Sequence, residues 1–185
     1  AGEVELTLTF TSPLLIDDLE TMSRPASYLT WDVVSVDNKP HAVQVYFDAT
    51  AEWVVNKSEQ KVAWSRCQPE GLDAMRVGTH DQRVLATKGD DVRIDWGYLY
   101  VAVPRESART LIASDSAARG ALATGDNPPA TDDTAMPRAA NDRWPVLSAV
   151  LAGLIFFPQE RFRIPVIDPA LIACAAACAN RWIRS

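Results

Sequence analysis

Residues 28–54, which read YLTWDVVSVDNKPHAVQVYFDATAEWV, contain two runs rich in Val, Tyr, Trp, Phe and Thr. The polar segment 37–40 separates these runs. Residues of these types favour β-strands, and a short polar break between two such runs is typical of a β-hairpin. We therefore expect two paired antiparallel strands joined by a tight connection.

The second run alternates between apolar and polar residues. One face carries Val43, Val45, Phe47 and Ala49, and the other carries Gln44, Tyr46, Asp48 and Thr50. A period of two with one apolar side indicates a strand that covers a core with that side. The stretch therefore predicts a sheet with one face on a hydrophobic core.

The same alternation extends outward from this stretch in both directions. Residues 3–10 (EVELTLTF) predict a half-buried strand, and residues 60–66 (QKVAWSR) predict a third strand of the central meander. Residues 72–77 and 82–87 are expected to form a further hairpin. Segments 107–113 and 143–157 complete the set of predicted strands, with a short helix or irregular strand at 114–123.

Residues 92–103 (VRIDWGYLYVAV) are apolar on both faces, which favours a central strand covered on both sides. Gly97 in its middle indicates a bulge or the close approach of another group. We therefore expect this strand to lie next to the central pair.

These patterns predict a mainly β protein, an antiparallel β-sandwich with a long loop near residues 124–142 and a C-terminal helix. Asp168 is the expected N-cap of that helix, Pro169 its first residue, and residues 170–183 its body. The expected division is a β-sandwich domain at 1–157 and a linker with a helix at 158–185.

Composition limits the possible partners. The chain has 185 residues, 48% of them hydrophobic, and a formal charge of -6. It has no basic cluster to neutralise phosphates, so nucleic acid is not an expected partner. The most apolar window, 169–179, is shorter than the roughly 20 residues that cross a membrane, so no membrane partner is expected either. No signal peptide is visible, which fits either a processed secreted protein or a fragment.

The reactive side chains match no motif of a catalytic or metal site. Cys67, His41 and His80 could serve as a nucleophile with a base or as zinc ligands, but the usual spacings are missing. We therefore expect no catalytic, cofactor-binding or metal residues. Cys67, Cys174 and Cys178 are read as free thiols, and a bridge from Cys67 to either of the other two stays open. The acidic group Asp17, Asp18 and Glu20 is read as a solvated loop.

Tryptophan is the remaining functional signal, because its flat rings can stack on sugars or cover an inter-domain face. The ones in or beside predicted strands are Trp31, Trp53, Trp64 and Trp96. The sequence leaves both uses open, a carbohydrate-binding module and a domain interface.

Several stretches together resemble a known family. They are residues 9–13 (TFTSP), 23–30 (SRPASYLT), 41–48 (HAVQVYFD), 52–53 (EW), 88–100 (KGDDVRIDWGYLY) and 143–149 (RWPVLSA). In this order they resemble the N-terminal β-sandwich region of the glutaminase A-type proteins, secreted L-glutamine amidohydrolases of fungi and bacteria. The resemblance covers roughly residues 6–154. Arg24 and Ala26, which flank a proline, depart from the family pattern.

The resemblance implies a non-catalytic accessory domain that precedes a large helical domain, the part thought to carry the active site. No catalytic residue is transferred to this chain, and the helical catalytic domain is the expected partner. Trp53, Trp96 and Tyr98 are the expected contacts with it, and their exposure would favour self-association of the chain alone. The implied location is extracellular or periplasmic. The sequence after residue 157 is a divergent start of the helical part, a foreign linker or an altered reading frame.

Overall fold

The computed structural model describes residues 3–23, 25–90, 93–106, 108–124, 129–155 and 162–165, with side chains up to residue 151. The elements in chain order are β1 (Val4–Thr11), α1 (Leu19–Met22), β2 (Tyr28–Ser35), β3 (His41–Thr50), a 3₁₀ turn (Ala51–Val54), β4 (Lys61–Cys67), β5 (Leu72–Thr79), β6 (Leu99–Pro104), β7 (Ala108–Ser114), α2 (Asp115–Thr124), β8 (Arg138–Ala139), β9 (Pro145–Ile155) and β10 (Phe162–Pro165).

The strands form three antiparallel sheets. Sheet A has the order β1-β2-β10, sheet B has β3-β9-β7, and sheet C has β6-β5-β4-β8. Every pair of neighbouring strands is antiparallel. The fold is therefore mainly β, an antiparallel sandwich, and this prediction is confirmed.

The main core lies between the facing layers of the sandwich. Met75 and Val62 of sheet C are fully buried against Ile112 and Leu147 of sheet B. A second cluster joins sheet A to the same layer through Trp31, whose neighbours include Leu151. Sheet B therefore forms one layer, and sheets A and C pack on its inner face.

The register explains which side of sheet B is covered. Phe47 is paired with Ala149 and contributes to the core, whereas Asp48 is paired with Ser148 on the opposite face. Helix α2 covers part of that opposite face, with Ala118 buried against Val146. The two faces that alternation predicted for β3 are confirmed.

A cluster of ion pairs closes one end of the space between sheets B and C. Arg66 of β4 donates to both carboxylate oxygens of Asp73 on β5 at 2.9 and 3.0 Å, and to Asp132 at 2.5 and 2.8 Å. It also donates to the hydroxyl and the carbonyl oxygen of Thr110 on β7. Because Asp132 accepts from the N–H of Ile112 as well, the cluster connects both sheets with the loop before β8.

The predicted hairpin at residues 28–54 is wrong, although both of its strands exist. β2 is paired on both sides, with β1 and β10, so neither edge is left for β3. Trp31 of β2 lies edge-on to Phe47 of β3, with ring centroids 6.3 Å apart. The strands thus face each other across the sandwich, and residues 36–40 form an arch between sheets. The buried Ser35 holds this arch by donating to the carbonyl oxygen of Lys39 at 2.8 Å.

The third strand of the predicted meander also lies in a different sheet. Residues 61–67 form β4 as expected, but β4 pairs with β5 and β8 in sheet C. The 3₁₀ turn explains this, because Ala51 and Val54 are buried and take the chain from sheet B into sheet C.

The long strand predicted at residues 92–103 is correct only in its second half, β6. Before β6, the carboxamide of Gln82 binds both backbone groups of Gly97, at 2.8 and 3.0 Å. The hydroxyl of Thr79 donates to the carbonyl oxygen of Asp95 in the same way. Because side chains satisfy these groups, this part of the chain does not join a ladder.

The sequence also predicted that the strand at residues 92–103 is covered on both sides and that Gly97 marks a bulge or the close approach of another group. β6 is buried on both faces as predicted, through Val101 and Val103 on one side and Ala102 on the other, but it stands at the edge of sheet C. The close approach expected at Gly97 is wrong, because a Cβ on Gly97 would meet nothing within 4 Å, and its φ of 85° is what favours glycine there. The close approach is at Gly78, where a Cβ would stand 2.6 Å from the carbonyl oxygen of Gly97.

The strand predicted at residues 82–87 is wrong. Gln82 and Leu85 have φ angles of 46° and 53°, which extended strands do not adopt. The N–H of Val84 bonds to the carbonyl oxygen of Gln82, so the segment is a series of turns.

The expected long loop near 124–142 is irregular at the described residues 129–137 and then contains the short strand β8. The predicted C-terminal helix at 170–183 lies outside the described residues, as do Cys174 and Cys178. β10 belongs to the segment expected to be linker and pairs with β2. None of the helices that the structure describes is long and apolar enough to cross a membrane.

Candidate functional site

The three residues expected at an interface are in different surroundings. Trp53 is 78% exposed on the 3₁₀ turn. Tyr98 is half-buried, with its ring 6.3 Å from that of Tyr100 and with the guanidinium of Arg76 4.6 Å above it. Trp96 is half-buried in a small depression that Leu85 and Ile94 also line. The ring contacts of the described residues do not join Trp53 to either of the other two.

A set of apolar side chains is exposed at the start of the chain, on and after the strand that was predicted to be half-buried. The register of β1 with β2 puts Leu6 beside Val33, and Leu8 beside Trp31, on the inner face of sheet A. Val33 and Trp31 are buried, whereas Leu6 is 56% exposed and Leu8 43%. The prediction fails because β1 continues the inner face beyond the layer that covers β2.

The segment after β1 adds further apolar side chains. Those exposed on β1 and this segment are Leu6, Leu8, Phe10, Leu14, Leu15, Ile16 and Leu19. We call this set the N-terminal apolar surface. Monomeric soluble proteins rarely expose large contiguous apolar patches, and those that exist often mark interaction sites. The tryptophan pattern predicted a contact surface at Trp53, Trp96 and Tyr98 and did not include any residue of this set.

The charged residues at the start of the chain are mostly acidic. Residues 3–23 contain Glu3, Glu5, Asp17, Asp18 and Glu20, and the first basic residue of the chain is Arg24. Asp18 caps α1, since its carboxylate accepts from the backbone N–H of Thr21 at 3.0 Å and from its hydroxyl at 2.6 Å. The group expected in a solvated loop therefore spans a turn and the start of α1, which includes Glu20, and its three side chains are exposed. We call the five carboxylates of residues 3–23 the acidic rim.

One acidic residue of this rim contributes to the only group of possible metal ligands found among the described residues. His41 Nε2 lies 2.7 Å from Asp37 Oδ1, and His41 Nδ1 lies 4.0 Å from Glu3 Oε2. The hydrogen bond from His41 is the largest cause that lowers the pKa of Asp37 to about 2. Lys39 adds a positive charge 3.8 Å from the other oxygen of Asp37. Contacts of His41 with Asp37 and Glu3 account for this geometry, since they join the start of β3 to the arch and to the residue before β1.

A shallow depression lies on the outer face of sheet B, beside α2. Arg119 of α2 binds both carboxylate oxygens of Asp48, at 2.7 and 2.8 Å. This contact is the main reason that the pKa of Asp48 is lowered, while burial and then Asp48 raise the pKa of Tyr46 well above its usual range. The Arg119 pair therefore holds α2 on the sheet, and Tyr46 stays protonated at neutral pH.

The possible nucleophile and base of the sequence are not brought together. The register of β4 with β5 places Cys67 opposite Ala74, and Val62 opposite Thr79. His80 follows β5, and its N–H bonds to the carbonyl oxygen of Lys61, at the opposite end of the pair from Cys67. His41 lies on β3 beside the arch, next to Asp37.

The tryptophans do not form one sugar-binding platform in the part of the chain that the structure describes. Trp31 and Trp64 are only 5% and 4% exposed, so their faces cannot stack on a ligand. Trp64 donates its indole N–H to the carbonyl oxygen of Asp133, and Arg138 covers its ring at 4.8 Å. Of the tryptophans that the structure describes, Trp53 and Trp144 are exposed.

Comparison with known proteins relates these features to a family. A family model described as a domain of unknown function (DUF5127) matches residues 1–153. A protein described as Glutaminase A from Aspergillus oryzae is 31% identical over 147 residues. The match covers 78% of this chain and 21% of the relative, so the chain spans about a fifth of the length of the curated relative that it matches.

Proposed function

The chain belongs to the DUF5127 family of domains, and we propose that it is a non-catalytic accessory domain of a glutaminase A-type protein. The coverage of the match carries this proposal. Most of the chain aligns with the relative, whereas most of the relative has no counterpart in the chain. A domain that fills a fifth of a larger enzyme fits a structural role beside a separate catalytic part.

The proposed partner is that separate part, a helical catalytic domain in the same polypeptide. Hydrolysis of L-glutamine to L-glutamate and ammonia is the activity proposed for the complete protein, and its proposed location is outside the cell. An exposed apolar surface supports a partner of this kind, because burying it against another domain removes it from water. Trp53 is also accessible for such a contact, whereas Trp96 and Tyr98 are partly occupied within the domain.

Two assays of glutamine hydrolysis test this proposal. The 185-residue chain should release no ammonia from glutamine above the level of a heat-inactivated sample. A chimera in which residues 1–165, up to the end of β10, replace the aligned region of the Aspergillus oryzae relative should hydrolyse glutamine. The same relative with the aligned region deleted, and nothing inserted, is the control. Turnover by the 185-residue chain alone, or a soluble but inactive chimera, would contradict the accessory role.

A further inference from the structure

We propose that the N-terminal apolar surface is the docking face of this domain, and that its occupant is an apolar surface with a basic rim elsewhere in the same polypeptide. This inference rests on the proposed function, since the occupant belongs to the part of a glutaminase A-type protein outside the matched 21% of the relative. It moves the expected interface from Trp53, Trp96 and Tyr98 to β1 and the segment that follows it.

The β1 part of the N-terminal apolar surface continues a buried face of sheet A. Leu8 is paired with Trp31, and Phe10 is paired with Leu29, so these side chains share the inner face of sheet A. Trp31 is 5% exposed, whereas Phe10 on the neighbouring strand is 72% exposed. The inner face therefore has the composition of a core across both strands but is covered only at β2.

β1 also lies at the edge of sheet A among the described strands. Among the described strands, β1 pairs only with β2, so one of its two edges has no strand beside it. Natural edge strands are usually protected against pairing by charged side chains, most often Lys, by Pro or by a bulge. The sequence of β1, VELTLTFT, has one charged residue, Glu5, and neither Lys nor Pro, and its register with β2 runs without a bulge from Val4 to Thr11. The strand thus has the features of one that receives a partner.

The excess of negative charge near this surface favours a basic occupant. The rim has five carboxylates in residues 3–23, against Arg24, which follows directly, and Lys39, which lies beside Asp37, and the whole chain has a formal charge of -6. A second copy would bring an identical acidic rim against this one, and like charges in contact disfavour association. A partner with Lys and Arg around its apolar centre is attracted instead. These charges favour another domain over self-association.

Amide hydrogen exchange in the active chimera tests the location of the interface. Residues 4–11 should exchange at least 10-fold more slowly in the chimera than in the 185-residue chain, because docking covers β1. Phe10→Glu in the chimera should restore the fast exchange. Leu8→Glu is the second variant, and Trp53→Glu is the matched control, since Trp53 is as exposed as Phe10 but lies on the 3₁₀ turn.

The outcomes separate this inference from the proposed function. An active chimera in which β1 exchanges as fast as in the isolated chain would overturn the docking face but leave the accessory role intact. Slow exchange at residues 51–54 that Trp53→Glu abolishes would return the interface to the tryptophan. Light scattering of the 185-residue chain should show a monomer. A dimer that Phe10→Glu dissociates would identify a second copy as the occupant and overturn the proposal.

Discussion

β1 and β3 have the same kind of sequence and opposite environments. Both alternate apolar and polar residues, and both form regular antiparallel pairs. The apolar side of β3 meets the core through Phe47, whereas the apolar side of β1 meets solvent through Leu6 and Phe10. Alternation therefore determines which side of a strand is apolar, while the neighbouring layer determines whether that side is buried. The uncovered apolar side of β1 is the place where we propose that a partner domain docks.

The same substitution in the two regions gives the largest expected contrast. Leu147→Ala, at a residue 1% exposed in β9, should lower the free energy of unfolding by about 2–5 kcal/mol because it leaves a cavity. Leu8→Ala on β1 should change it by less than about 0.5 kcal/mol in the 185-residue chain. Urea unfolding of both variants measures the two values. Equal losses would mean that β1 is covered in solution.

Removing a charged residue should also cost more stability in the ion cluster between sheets B and C than at an exposed site, although the difference is smaller than for leucine. Arg66→Ala should cost about 2–3 kcal/mol, because it leaves Asp73 and Asp132 half-buried without their shared cation. The control Arg83→Ala removes an exposed pair with Asp81 and should cost less than about 1 kcal/mol. Urea unfolding again measures both. A loss for Arg66→Ala as small as that of the control would show that solvent screens the cluster.

Acid should lower the free energy of unfolding through the same ion cluster between sheets B and C. This effect should be the smallest of the three. Burial opposes the ionised form of Asp132, but hydrogen bonds from Arg66 and from the N–H of Ile112 outweigh it and lower the pKa of Asp132. Its stabilising contribution is therefore complete above the unfolded value of about 3.9 and is lost as the pH falls through the lower folded value. Asp132→Asn should flatten the loss of stability below about pH 4. Urea unfolding at a series of pH values measures this, and an unchanged profile in Asp132→Asn would contradict the role of this carboxylate.

The sequence predicted the strands better than their partners. Alternation identified both faces of β3, because side-chain direction in a strand depends only on the chain itself. It mistook the arch at residues 36–40 for a hairpin turn, because a short polar break fits either connection. The choice depended on β10, a strand more than a hundred residues later that occupies the second edge of β2.

The candidate surface was missed for a related reason. The tryptophan content predicted a contact at Trp53, whereas the alternation in β1 predicted an ordinary half-buried strand. One signal was present, the concentration of carboxylates without a cation in residues 3–23, next to alternating apolar residues. The segment before β6 was also beyond prediction, because the Gln82 carboxamide that holds Gly97 acts across a loop with no local pattern.

The pairing of β3 with β9 also has a consequence for biosynthesis. His41 pairs with Ile155, so the central sheet cannot form until almost all of the family domain has left the ribosome. At about 5–20 residues per second, the nascent β3 waits on the order of ten seconds for its partner strand. During that interval β3 exposes an apolar face that chaperones can bind. A ribosome-bound chain stalled before β9 should therefore be protease-sensitive, and one released after β9 should resist cleavage.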